Sequence, residues 1–77
     1  MKLEIISPEK IVYSGKAELV TLPGLQGLFT ILDKHAPIIS GLNAGTLVYR
    51  CEGKEESLMI EGGFVEAKND LITVCVE

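Results

Sequence analysis

No stretch of this sequence spaces its apolar residues for an amphipathic helix of useful length, while turn-forming residues recur about every eight to twelve positions. That rhythm restricts the chain to short strands, and short strands bury a core only as a sandwich or a barrel. The expected fold is therefore all-β, a β-sandwich or barrel of about eight to ten short strands. Residues 1–77 form one domain, without repeat, linker or low-complexity tract.

The strands read from the N-terminus as follows. Lys2 to Ile5 alternates polar and apolar residues, and Ser7-Pro8-Glu9-Lys10 stops it because a proline offers no amide proton to a ladder. Ile11-Val12-Tyr13 resumes, with a turn expected at Ser14-Gly15. Lys16 to Leu22 alternates with Ala17, Leu19 and Thr21 on one face and Glu18, Val20 and Leu22 on the other, so apolar residues fall on both faces and two neighbours are expected. Pro23-Gly24 and Gln26-Gly27 bracket a connector. Strands follow at Leu28 to Leu32, Ile38 to Leu42 and Thr46 to Cys51. The charged run Glu52 to Glu56 reads as a hairpin tip, and Ser57 to Glu61 pairs back. Gly62-Gly63 marks a bulge or corner. Phe64 to Ala67 and Leu71 to Val76 close the chain around an Asn69-Asp70 turn, where both residues tolerate positive φ.

Composition narrows the function. The net charge is −4 and the seven basic residues are scattered, so the cationic patch that binds phosphates of nucleic acid or anionic lipid is missing. Phe29, Tyr49 and Phe64 could stack bases, but without cationic neighbours they are expected in the core. The segment begins at Met1 with no export leader, and its apolar runs are far shorter than a membrane span of roughly 20 residues. Yet 47% of the residues are apolar. Folding a chain of 8.3 kDa buries roughly 7,500 Å². At about 25 cal/mol per Å² of the apolar share this yields about 110 kcal/mol, against about 115 kcal/mol to order the chain. So small an interior leaves apolar side chains over, and these are expected to face a partner protein.

Chemistry is sparse. His35 is the sole imidazole, and a general base needs an orienting partner and a pocket. Its neighbour Asp33 is a common chance pairing, so His35 reads as a loop residue holding backbone carbonyls or meeting a neighbour. Glu52, Glu55 and Glu56 read as a solvated tip. Cys51 and Cys75 fall in strands as buried free thiols, and with one histidine they give no zinc-ligand spacing. No cofactor, metal or small-molecule substrate is expected. One alternative rests on Asp33-Lys34, placed between strands like the modified lysine of a lipoyl or biotinyl carrier domain. Ile31 stands where the lipoyl pattern is acidic, and Asp33 and His35 stand where the biotinyl pattern has methionines.

Between Thr21 and Gly45 the pattern becomes specific. Thr21-Leu22-Pro23-Gly24, Gly27, His35-Ala36-Pro37 and Leu42-Asn43-Ala44-Gly45 occur in that order. Ile6-Ser7-Pro8-Glu9 and Tyr13-Ser14-Gly15 precede them. Ile60-Glu61-Gly62-Gly63-Phe64-Val65-Glu66 and Leu71-Ile72-Thr73-Val74 follow. Together these segments resemble the ε subunit family of F-type ATP synthases, called δ in mitochondria, across essentially the whole chain. The resemblance implies a non-catalytic rotor domain at the foot of the central stalk, clamped to the γ subunit and resting on the polar loops of the c-ring. It implies peripheral placement on the cytoplasmic face of a bacterial inner membrane, with membrane contact only through the complex. Family members commonly continue into C-terminal helices that inhibit ATP hydrolysis; a chain ending at Glu77 is expected to support coupling without that inhibition. Carried over residue by residue, Gly27, Leu28 and Phe29 occupy the ring-facing loop, with His35, Ala36 and Pro37 expected at the same end. Leu28 stands where many members are acidic, which implies a more apolar ring contact, though core packing competes for Leu28 and Phe29. Ser7, Ile38, Ile39 and Ser40 match γ-facing positions, Ser40 keeping a hydroxyl where threonine is familiar. For Pro23, Gly24, Gly27, Pro37 and Gly45 the resemblance adds little to ordinary turn geometry.

Overall fold

A computed structural model describes every residue from Met1 to Glu77. It contains nine strands and no helix: β1 (Lys2–Ile6), β2 (Ile11–Lys16), β3 (Leu19–Gly24), β4 (Gly27–Leu32), β5 (Ile38–Leu42), β6 (Gly45–Cys51), β7 (Lys54–Ile60), β8 (Gly63–Lys68) and β9 (Leu71–Val76). The all-β expectation holds. The strands follow the order β2-β1-β9-β8-β5-β3-β6-β7, with β4 on the far side of β3. β5 and β3 share the single pair Gly24 and Leu42. The sheet creases there and folds over, so that the β2-β1-β9-β8-β5 half faces the β4-β3-β6-β7 half.

The core fills the gap. Leu3, Ile5, Val65, Ala67, Ile72 and Val74 come from one half, and Val20, Leu22, Ile31, Leu47 and Ile60 from the other. Each is buried because strand alternation turns every second side chain inward. No polar side chain is buried with them. The folded chain exposes 4864 Å², slightly above the roughly 4,600 Å² expected for its mass.

Two hairpins are fixed by their turns. Glu52 and Gly53 (φ 53° and 77°) join Cys51 to its partner Lys54, and Asn69 and Asp70 (φ 53° and 64°) join Lys68 to Leu71. Positive φ at both central residues matches the right-handed strand twist. The Asn69-Asp70 turn is the one expected from sequence. The charged tip is shorter than expected: Lys54, Glu55 and Glu56 belong to β7 and pair with Cys51, Arg50 and Tyr49. Gly62-Gly63 makes the expected corner, with φ of 146° and 141°. A side chain at Gly63 would drive its Cβ into the Cys75 carbonyl.

Other boundaries differ from the sequence reading. Ser14-Gly15 is not a turn but part of β2, opposite Glu4 and Leu3. Gly15 stands there because the Tyr13 side chain lies across it: a Cβ would come 2.7 Å from the phenol oxygen. That hydroxyl donates to the Lys16 carbonyl at 2.8 Å. The chain turns at Ala17-Glu18 instead, so the strand drawn from Lys16 begins at Leu19. Pro23-Gly24 also belongs to a strand, and the turn is Leu25-Gln26. Proline is tolerated because, on the side away from β4, Pro23 has no ladder partner that would need its amide proton, while its carbonyl accepts from the Asn43 amide at 2.8 Å. β1 and β9 run parallel, the sole parallel pair in the sheet, which the sequence did not foretell.

Candidate docking face

Strand register decides which side chains share the outer surface. Across the β2-β1-β9-β8-β5 half, Ile11 lies opposite Ile6, Ile6 opposite Cys75, Cys75 opposite Phe64, and Phe64 opposite Gly41. Leu25 folds over Gly41, where a Cβ would sit 2.7 Å from Leu25 Cδ1. An apolar band thus crosses five strands. Ile11 is 65% exposed, Phe64 52% and Leu25 61%, with Leu28 and Ile39 flanking them at 73% and 78%. Side chains this large and this open, collected in one place, mark a protein contact.

Charge is layered beside the band. The next row on the same face runs Ser14, Glu4, Thr73, Glu66 and Ile39. Beyond it come Lys16, Lys2, Leu71 and Lys68. Lys2 Nζ stands 4.0 Å from Glu4 Oε2, linking the acidic row to the basic one. A partner would meet apolar, acidic and basic strips in sequence, which fixes orientation as well as affinity.

Two shallow grooves of about 550 Å³ each border the band. One is lined by Ile6, Ser7, Pro8, Phe64, Val76 and their neighbours. Within it, Ser7 Oγ sits 3.2 Å from the Lys10 carbonyl and accepts from the Lys10 amide at 3.3 Å, so its hydroxyl is committed to the turn. The other lies between β4 and β5, lined by Gly24 to Phe29 and Ile38 to Gly41. It unites residues that the sequence reading gave to different partners.

The two candidate sets therefore divide differently from the expectation. Leu28 and Ile39 point outward. Phe29 and Ile38 pack against the core, and Ser40, opposite buried Val65, faces inward with its hydroxyl donating to the Gly41 carbonyl at 3.0 Å. The Gly27 tip and the segment carrying His35, Ala36 and Pro37 do not share an end. They lie at the two ends of β4, about 17 Å apart at the usual rise per residue. His35 is half-buried with Nδ1 3.0 Å from the Ala36 carbonyl, a loop-holding role as expected. Nε2 is buried without a partner. Phe64, expected in the core with Phe29 and Tyr49, is on the outer face, because it directly precedes the core position Val65 and strand alternation turns it the other way.

The remaining polar groups do not converge. Tyr13 and Tyr49 stack at 4.5 Å beside Cys51. Burial raises both phenol pKa values, helped for Tyr13 by Cys51 and for Tyr49 by Glu56. Cys51 and Cys75 are free and half-buried, less enclosed than expected. Lys34 sits at φ 61° on an exposed turn capped by Asp33 Oδ1, which accepts its amide at 3.1 Å.

A small sandwich with a layered apolar face presents a surface suited to docking a protein. The family described as "ATP synthase, Delta/Epsilon chain, beta-sandwich domain" matches residues 1–77, and this chain belongs to it. An ATP synthase epsilon chain of Leptospira interrogans is 42% identical over 77 residues, and one of Nitratidesulfovibrio vulgaris is 40% identical. Both alignments cover 100% of this chain but only 61% and 58% of those proteins. Among solved structures, a chain of the Euglena gracilis mitochondrial ATP synthase superposes with a TM-score of 0.89 at 19% identity, covering 96% of this chain and 48% of its own length. A chain of the Tetrahymena thermophila mitochondrial ATP synthase central stalk and c-ring gives 0.83 at 18% identity, covering 99% and 62%. These two share the fold. The carrier alternative at Lys34 finds no support in any of these matches.

Proposed function

We propose that this chain is a rotor domain of an F-type ATP synthase: a non-catalytic piece of the central stalk that holds γ to the c-ring. The observation carrying this reading is the apolar band of Ile11, Ile6, Cys75, Phe64 and Leu25, continuous over five strands of one face. Family membership supports it, and so do the curated relatives, which are named as epsilon chains. In this reading the band grips γ, with Ser7 and Ile39 at its borders. The tip at Gly27 and Leu28 rests on the ring. Phe29, Ile38 and Ser40 shape the groove from within, while His35, Ala36 and Pro37 brace the far end of β4. The domain works peripherally, on the cytoplasmic face of a bacterial inner membrane, and needs no cofactor or small-molecule substrate. Its task is mechanical: a stiff core passes torque, and desolvated apolar contacts hold the joint.

The test is co-purification with γ and c-ring from the same source. Phe64→Glu should abolish capture of γ, and Leu28→Glu should weaken ring contact while γ stays bound. Ser40→Arg, aimed into the groove, should affect both by spreading β4 from β5. Capture of γ that survives Phe64→Glu would remove the reading.

A further inference from the structure

The open margins of the sheet are not alike. β2, β7 and β4 each pair on one side only. β2 is disrupted by a register shift opposite Ile5 and Ile6, and β7 begins Lys54-Glu55-Glu56. Irregularities and charges of this kind reject added strands. β4 has neither. It reads Gly-Leu-Phe-Thr-Ile-Leu, uncharged and without proline, in unbroken register with β3 over six pairs. Residues 27–32 take part in none of the backbone hydrogen bonds made outside the strand ladders. The composition is that of segments that zip onto copies of themselves.

We propose that β4 is a self-association edge, and that its occupant is β4 of a second copy of this chain, laid antiparallel about a two-fold axis through Thr30. Strands in one sheet must keep outward residues beside outward residues. With Thr30 opposite Thr30 of the copy, this condition is met along the strand. Leu28 then faces Leu32 of the copy, and Phe29 faces Ile31. Leu28 and Leu32, 73% and 56% exposed, each gain an apolar neighbour. A second observation favours a copy over a foreign strand. Thr30 Oγ1 already lies 2.9 Å from Thr21 Oγ1 on β3, and the two-fold axis continues that hydroxyl row from Thr30 into Thr30 of the copy. A foreign strand finds no charge on β4 to match, whereas the self-register meets each open leucine with a leucine. The contact is isologous and closes at two copies. It does not depend on the rotor reading. If that reading holds, the dimer covers Leu28 and excludes ring contact, so dimer and assembled rotor are alternatives.

The test uses the isolated chain without rotor proteins, so its result is independent of γ or ring binding. Sedimentation velocity over a concentration series should resolve a monomer–dimer equilibrium, with amide exchange in β4 slowing as dimer forms. Thr30→Lys, which sets two charges on the axis, should weaken dimerisation by at least about tenfold. Leu32→Lys should do the same and serves if Thr30→Lys disturbs folding, which circular dichroism reports. Ile11→Lys, exposed on β2 of the other half, should leave the dimer intact. A chain that stays monomeric at millimolar concentration overturns the proposal. So does a dimer indifferent to both β4 variants, which would place the contact on the apolar band. Open-ended oligomers overturn it too, because a shared β4 edge stops at two.

Discussion

The two halves of the sandwich bury the same kind of core and show solvent quite different faces. The β2-β1-β9-β8-β5 half arranges its outer residues in strips, apolar, acidic and basic. The β4-β3-β6-β7 half mixes them. One of its rows runs Ser57, Val48, Thr21 and Thr30, small or β-branched and mostly hydroxylic. Another sets Glu55 beside Arg50, 3.9 Å apart, with Leu19 and Leu32 next in line. Thr46 Oγ1 and Met59 Sδ meet at 3.0 Å. Away from the β4 edge, hydroxyls and an ion pair interrupt the apolar surface of the second face. The first leaves Phe64 open within an apolar row and Ile39 open at its border, 52% and 78% exposed. Folding asks the same of both halves, so the difference records a demand made from outside the fold.

This contrast can be broken from the inside first. Ile72→Ala in one half and Leu47→Ala in the other should each cost about 2–5 kcal/mol. In a domain of this size either change should unfold most of the chain in chemical denaturation. Equal losses would confirm that both halves share one core, and a large difference would show that they unfold separately. Phe64→Glu should cost γ capture at least tenfold, about 1.4 kcal/mol or more, while leaving the denaturation midpoint nearly unchanged. Val48→Glu, on the mixed face, should leave capture intact. Equal effects of the two would erase the distinction between faces. Replacing the Thr21 and Thr30 hydroxyls together with valine should cost only about 0.2–1 kcal/mol of stability, measured in the same unfolding experiment.

The smallest effect lies at high pH. Burial raises the pKa of Tyr13 and Tyr49 above the ordinary 10.0. A raised folded-state value means the neutral phenol is favoured by folding. The contribution is then complete below the unfolded value and disappears as pH climbs through the folded one. Stability should be level to about pH 10 and fall above it. The decline should be shallower in Tyr13→Phe, followed by phenolate absorbance alongside circular dichroism.

Much of the architecture was legible in the sequence because it is local. Alternation marked the strands, and Asn69-Asp70 and Gly62-Gly63 carried their own backbone geometry. The motif order between Thr21 and Gly45 carried the family. What escaped was set by residues distant in the chain. Ser14-Gly15 looks like a turn until Leu3 and Glu4 are seen opposite it. Pro23 looks like a strand breaker until the gap at the crease removes the need for its amide proton. Phe64 looks like core until its register with Cys75 and Gly41 puts it outside. The docking band is a row of residues numbered 11, 6, 75, 64 and 25, and no spacing along the chain reveals it. The pairing that assembles this row is long-range, and its parallel member was unpredictable from pattern. Likewise, Gly27 and His35 are eight positions apart, close enough to suggest one loop cluster until a full strand is found between them.

The parallel contact between the first and last strands has a kinetic consequence. β1 emerges earliest during synthesis, yet Leu3 and Ile5 must wait for β9 before one edge of their strand is sealed. Until residues 71–76 arrive, the nascent chain holds its opening strand in a hairpin with β2 alone, and such hairpins are barely stable in water. Closure is therefore a late, single event spanning nearly the whole length of the chain. Refolding of the domain should be slow for so small a unit.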